Sequence, residues 1–353
     1  MAFETVHGYC WPQSQVGGAT VGLHLSSPGG RDVAVEVARC GWRREVVWSD
    51  TVPADFHPTP HGAAQDGCGW PAAIVLDVDP SWRSGYYEVL LTVEVDGKVR
   101  RNHAFFVVRP PTGAPTAPAL LALSTNTWNA YNDFGGNQLY TGATSVSFQR
   151  PMAAGYLHKP PGEGRRVTNQ APYDPQMTAH RGYLAANHLS PFAGSAGWPD
   201  WELPFLQWAE REGNAVDVVL NADLAEHPGL LAKTAGEGGY ALYLSVGHDE
   251  YWSGPMREQL ESRGYTDEFE LKLLTVGGGP DRDAQQVAGK ATQGALLQRV
   301  GVGPKVADLA VQAGAVGVDA AGDDLGAQRG QLGAVGGDNR EHLDLGRLAV
   351  ALG

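Results

Sequence analysis

Three ionisable residues crowd one corner of this chain. In Leu242-Tyr243-Leu244-Ser245-Val246-Gly247-His248-Asp249-Glu250-Tyr251-Trp252-Ser253 an apolar run reads as a buried strand, and Gly247 breaks it. His248, Asp249 and Glu250 follow at once, and Ser253 can cap a new helix through Pro255-Met256-Arg257-Glu258. Strand, polar corner, helix is how an open α/β sheet presents chemistry at the carboxyl end of a strand. A His and a carboxylate two residues apart suit a metal or acid–base site, yet they cannot complete a coordination sphere by themselves. In the plainer reading His248 bonds backbone and Glu250 favours the start of the next helix. Asp249 with Glu250 makes a poor catalytic pair, because adjacent side chains point apart.

A second cluster, Asn126-Thr127-Trp128-Asn129-Ala130-Tyr131-Asn132-Asp133-Phe134-Gly135-Gly136-Asn137, follows an apolar strand at Ala119–Ser124 in the same way. If both strands are parallel members of one sheet, both clusters leave it at one edge. Taken alone, so many Asn and aromatic residues equally describe a structural loop of Asx-turns and stacked rings. His57-Pro58-Thr59-Pro60-His61 has the look of a metal clip but falls among β-rich segments and is discounted. The chain has no phosphate-cradling GxxxxGK[ST], no GxGxxG in a βαβ setting, no GxSxG elbow and no evident cysteine nucleophile.

The elements that must position these clusters fall into three stretches. Residues 1–109 read as all-β, with strands at Thr20–Ser26, Val33–Cys40, Glu45–Thr51, Ala72–Val78, Tyr86–Val95 and Lys98–Val108. Asp96-Gly97 between the last two predicts a type I′ hairpin, and the strand spacing suggests an immunoglobulin-like β-sandwich. Residues 110–118, rich in Pro, read as a stiff linker with little capacity to pack. From 119 to about 265 strands alternate with helices: Ala119–Ser124, Val216–Leu220 and Ala241–Val246, with helices at Trp201–Glu212 and Pro228–Lys233. That order implies βαβ units and a parallel sheet. Asp200 is the expected N-cap of the longer helix, with Gly213 just past its end. The interval 125–199 reads as an ordered insertion and active-site loop. Residues 266–353 change character: no Phe, Tyr or Trp follows Phe269, and Gly, Ala, Val, Asp and Gln take over. A flexible low-complexity tail or an altered reading frame would produce this, the second being preferred here.

Composition narrows the function. The 353 residues carry a net charge of −13 and no Lys/Arg block, which argues against nucleic acid as a partner. No apolar run approaches the roughly 18–20 residues of a membrane span, and the first residues lack the pattern of a secretory signal, so a cytoplasmic protein is expected. The three cysteines, Cys10, Cys40 and Cys68, show no CxxC spacing and read as buried thiols, with a Cys10–Cys40 or Cys40–Cys68 bridge as the alternative.

Four motifs in order carry a family resemblance: Asn126-Thr127-Trp128-Asn129-Ala130-Tyr131-Asn132, Val146-Ser147-Phe148-Gln149-Arg150-Pro151, Trp201-Glu202-Leu203-Pro204-Phe205 and Gly247-His248-Asp249-Glu250-Tyr251-Trp252-Ser253. Over about residues 119–260 the chain resembles the large (beta) subunit of N,N-dimethylformamidase and its relatives. The resemblance implies a glutamine-amidotransferase-like α/β domain behind the sandwich. It also implies hydrolysis of a small amide, as in cleavage of dimethylformamide to dimethylamine and formate, by a metal-activated water attacking the carbonyl. The implied cofactor is a mononuclear Fe(III) held by two tyrosinates and a glutamate. Glu250 matches the glutamate, Tyr131 the first tyrosine, and Tyr173 the second, with Tyr156 and Tyr183 as competitors for that last place. His248 matches a histidine that positions water or a substrate oxygen and serves as the catalytic residue. Trp128, Asn129 and Asn132 are expected in the substrate pocket. A homo-oligomer or a small partner subunit is implied as well. The chain departs from the family after Glu250: Thr275-Val276-Gly277-Gly278-Gly279-Pro280-Asp281 has no Asn where a Gly-Gly-Asn-type turn is expected. The α/β domain is therefore expected to be truncated and turnover impaired. In the competing reading the chain is a non-catalytic binding protein whose Trp128, Tyr131, Phe134 and Tyr140 hold a partner or a saccharide.

Overall fold

A computed structural model describes residues 5–160, 175–193, 196–231, 239–262 and 296–299. The chain opens with β1 (His7–Trp11), β2 (Ser14–Gln15), β3 (Thr20–Ser26), β4 (Val33–Cys40) and β5 (Arg44–Val52). A short helix α1 (Ala63–Asp66) precedes β6 (Ala72–Asp77), β7 (Gly85–Val95) and β8 (Lys98–Val108). These strands form a three-stranded sheet, β1-β3-β6, and a five-stranded sheet, β2-β8-β7-β4-β5. The β7–β8 hairpin turns on Asp96 and Gly97, at φ 51° and 69°, with Val95 paired to Lys98. Both turn residues at positive φ define the type I′ geometry expected from Asp-Gly.

The five-stranded sheet buries two faces, and this organises the molecule. Tyr87, Val89, Leu91 and Val93 alternate with Ala104, Phe106 and Val108 toward β3 and β6, closing one core with Val21, Leu23 and Leu76. The opposite face carries Cys40, Tyr86, Phe105 and Val107, which pack against the α/β elements. Tyr86 stacks on Trp198 with ring centroids 3.9 Å apart, and Phe105 lies 5.6 Å from the Trp128 ring. Burying an aromatic side chain of this size is worth about 1.5–3 kcal/mol, so this junction is part of the hydrophobic core. It also explains why β7 begins, and β8 ends, in consecutive buried residues instead of an in–out alternation.

The second half runs β9 (Ala119–Leu123), α2 (Thr125–Tyr131), α3 (Pro175–Ala186), α4 (Glu202–Arg211), β10 (Val216–Leu220), α5 (Asn221–Glu226), β11 (Leu242–Ser245), α6 (Gly254–Glu261) and β12 (Leu296–Arg299). The sheet order is β10-β9-β11-β12. β9 pairs in parallel with both β10 and β11, and β12 adds antiparallel to β11. Every residue of β9, β10 and β11 is buried, as a sheet covered on both faces requires. The chain is thus β-rich, with open sheets and few helices among the described residues.

Several local expectations need correction. The stretch after β9 is a helix, because Thr127, Trp128 and Ala130 find apolar or bonded partners inside the core and override the turn preference of its Asn residues. Asp200 does not cap α4: Trp201 occupies that position, and the Asp200 carboxylate is fully buried against Lys159 at 2.5 Å. A short helix falls at Asn221–Glu226, with Asp223 accepting from the Leu220 amide at its start, while residues 228–231 of the expected helix Pro228–Lys233 are turn and its last two residues lie outside the described residues. The Pro-rich connection is anchored as well: the buried Asp217 carboxylate accepts from the Thr116 hydroxyl and from the Thr116 and Ala117 amides. All three cysteines are free and buried, so neither proposed bridge is present. No helix among the described residues is long and apolar enough to cross a membrane. Apart from β12, the tail at 266–353 lies outside the described residues, as does Tyr173.

Candidate metal centre

The parallel pairing of β9 with β11 brings the two chemical clusters out at one edge. After β11, Gly247 turns the chain at φ 84°. A Cβ there would stand 2.3 Å from Cγ of Trp201, so both the backbone angle and the packing demand glycine. Asp249 then points inward. It is buried and accepts from the Ser245 hydroxyl at 2.6 Å, which pins the corner to the end of its own strand. Burial raises the Asp249 carboxyl to about 6, opposed by the Ser245 bond and the His248 charge. With Asp249 turned in, His248 and Glu250 turn out together. Ser253 caps α6 by accepting from the Met256 amide.

From the other strand, α2 supplies the facing wall. The Thr127 hydroxyl accepts from the Glu250 amide at 2.8 Å, fixing the corner to the first turn of α2. Tyr131 sits at the far end, where helix carbonyls ordinarily lack partners. Here they are satisfied: Asn129 O accepts from buried Arg150 at 3.2 Å, Ala130 O from the Leu139 amide, and Tyr131 O from the Tyr156 hydroxyl at 2.7 Å. The same Arg150 bonds the Phe134 and Ser147 carbonyls, so the intervening loop is fastened beneath Tyr131. That loop delivers Tyr140, whose ring stacks on Tyr131 at 4.2 Å.

Four side chains then meet at one carboxylate oxygen. Glu250 Oε2 accepts from the Tyr140 hydroxyl at 2.6 Å and the Tyr131 hydroxyl at 3.1 Å, and lies 3.0 Å from His248 Nε2. The Tyr251 hydroxyl donates to that of Tyr140 at 2.8 Å. Burial pushes the Glu250 carboxyl up, but the bonds from His248, Tyr140 and Tyr131 outweigh it, and the net position is below the ordinary carboxylate range. Both phenols move the other way. Burial and the Glu250 charge hold the Tyr131 proton far more tightly than a free phenol, and burial next to Tyr131 does the same for Tyr140. The cluster is therefore one ionised carboxylate among neutral phenols, and only an added cation would make the phenolates favourable.

Of the residues expected at the site, Tyr131, Glu250 and His248 come together. Trp128, Asn129 and Asn132 are taken up elsewhere. Trp128 is in the core behind the sheet, and Asn129 is buried with its amide on the Thr125 carbonyl. Asn132 is fully buried, bonding Pro151 O and the Phe134 and Ala153 amides, so it organises the loop. Tyr156 braces Tyr131 through backbone, and the Tyr183 hydroxyl bonds Pro160 O. Tyr140 was not among the expected ligands. It lies nine positions after Tyr131 in a Gly- and Asn-rich loop without periodicity, where only its aromatic character marks it.

Elsewhere, Glu88, His103 and His158 form a group that could hold a metal ion, their ligand atoms all within 4.8 Å of one another.

The family described as N,N-dimethylformamidase beta subunit-like, C-terminal, matches residues 34–264, more than half of the chain, and the chain belongs to that family. No curated protein matches. Among solved structures, the Parabacteroides merdae β-glucuronidase aligns at 16% identity and a TM-score of 0.19. That alignment covers 33% of this chain and 15% of the glucuronidase.

Proposed function

We propose that this member of the N,N-dimethylformamidase beta subunit-like family is an iron-dependent hydrolase of a small amide. The observation that carries the reading is the meeting of the Tyr131 and Tyr140 hydroxyls with the Glu250 carboxylate at a single oxygen, at the carboxyl edge of the parallel sheet. Two phenols and a carboxylate are a hard, all-oxygen donor set, the kind that suits Fe(III). The residues present therefore fit the group. Tyr131 and Glu250 would hold it with Tyr140 or Tyr173, of which Tyr140 already shares the Glu250 oxygen. When bound, such an ion supplies Lewis acidity toward a carbonyl oxygen and acidifies water.

The chain's own groups supply the rest. Glu250 is ionised at neutral pH, and His248 Nε2, 3.0 Å away, is set to hold a proton at the rim of the site. A tertiary amide such as dimethylformamide carries no N–H, and its amine leaves only when protonated. His248 is placed to give that proton. Asp249 and Gly247 act as positioning residues, one through Ser245 and the other against Trp201. An immunoglobulin-like sandwich at 1–109 and a glutamine-amidotransferase-like domain from 119 are the scaffold in this reading, in a cytoplasmic protein with a small partner subunit or a second copy.

The test is purification after iron-replete expression. One iron per chain, a visible tyrosinate-to-ferric band and release of dimethylamine from dimethylformamide are expected. A colourless, iron-free protein rejects the reading.

A further inference from the structure

We propose that Glu88, His103 and His158 bind a zinc ion that braces the five-stranded sheet to the segment 151–160 of the α/β region. The strand register builds two thirds of this site. Glu88 pairs with Phe105 and Leu90 with His103, so Glu88 and His103 are diagonal neighbours on one face of the β7–β8 hairpin. It is the face that carries Tyr86 and Phe105 toward the second half of the molecule. His158 arrives from across that junction, its ring stacked on that of His103 with centroids 4.6 Å apart at 18°.

The arrangement is poorly explained as an ordinary polar contact. His103 Nε2 stands 3.5 Å from Glu88 Oε1, longer than a good N–H···O bond. Meanwhile Arg44 Nε holds the other oxygen, Oε2, at 2.6 Å, and Arg44 Nη1 holds Glu36 at 2.5 Å. Arg44 thereby fixes the Glu88 carboxylate with Oε1 facing the two imidazoles, as outer partners of metal-binding carboxylates do. Two carboxylates and one guanidinium leave a net negative charge for a dication. An ion centred among three atoms no more than 4.8 Å apart would lie at most about 2.8 Å from each, and zinc asks about 2.0–2.2 Å. Closing by under ~1 Å is feasible because His158 is exposed and can swing inward. Two imidazoles and one carboxylate suit zinc better than magnesium or calcium, and leave the fourth tetrahedral position to water.

Zinc chloride titrated against a chromophoric chelator tests this in the full chain carrying Glu250→Gln, which disables the tyrosine–glutamate centre. A single equivalent of zinc is expected to bind, and adding His158→Asn should weaken that binding about tenfold or more. His158 lies on the surface, so its replacement leaves the fold intact, checked by an unchanged far-UV circular dichroism spectrum. Absence of zinc uptake by the Glu250→Gln protein, or uptake that ignores His158→Asn, overturns the proposal without bearing on the iron centre.

Discussion

Replacing Tyr140 by Phe removes one oxygen and leaves the ring stacked on Tyr131. The lost hydroxyl donates to Glu250 at 2.6 Å and accepts from Tyr251 at 2.8 Å. A hydrogen bond to a charged partner is worth about 1.5–3 kcal/mol when buried. Tyr140 is 39% exposed, so water competes and the metal-free protein should lose only about 1 kcal/mol of stability. With the His248 and Tyr131 contacts left, the Glu250 carboxyl should rise from its lowered position and stay ionised at neutral pH. The fold and the carboxylate thus survive, and what the variant tests is the ion. If Tyr140 is a ligand, iron should bind about 100-fold more weakly or worse, and the tyrosinate-to-ferric band of any iron retained should shift. Iron content and visible spectra of Tyr140→Phe and Tyr173→Phe, purified in parallel, measure this. Wild-type iron content and an unmoved band in Tyr140→Phe, with both lost in Tyr173→Phe, would refute Tyr140 as the second tyrosine.

Glu250→Ala is expected to abolish iron binding and amide hydrolysis, because it removes the oxygen on which both tyrosines converge; iron analysis and dimethylamine release check it. Gly247→Ala, forced to φ 84° against Trp201, should cost about 1–3 kcal/mol and lower iron content by displacing the corner, read by thermal melting and metal analysis. Lys159→Met removes the 2.5 Å contact of the Lys159 ammonium with the fully buried Asp200 carboxylate and should destabilise the fold by about 3 kcal/mol, seen as a lower urea midpoint. In metal-free protein, burial lowers His103 from 6.5 to about 4, helped by His158 and Arg44 and opposed by Glu88. The unfolded chain takes up this proton before the folded one, so stability from this group falls as pH drops from 6.5 toward 4, by about 3 kcal/mol in all. Urea midpoints of His103→Asn should be correspondingly flatter across that window.

Local chemistry was legible along the chain wherever a short-range rule governs. Asp96-Gly97 prescribes a type I′ turn because both residues tolerate positive φ, and the structure has both there. The strands Thr20–Ser26, Val33–Cys40, Lys98–Val108 and Val216–Leu220 begin and end where β-rich runs meet turn residues. Ser253 as the cap of α6, and the polar corner His248-Asp249-Glu250 after a buried strand, are likewise properties of a few consecutive residues. The family resemblance added Tyr131 and Glu250 as partners, 119 positions apart.

Only the tertiary structure decided who else joins them. Asn-rich α2 is helical because the core rewards burying Trp128 and Ala130, a gain that no turn propensity contains. The same packing withdraws Trp128 and Asn132 from the rim, while Arg150 fastens a loop that swings Tyr140 onto Glu250. Glu88, His103 and His158 likewise come from strand neighbours and a distant segment, so no spacing in the chain announces them. Convergence of side chains depends on strand order and register, and those are set by long-range burial that consecutive residues do not encode.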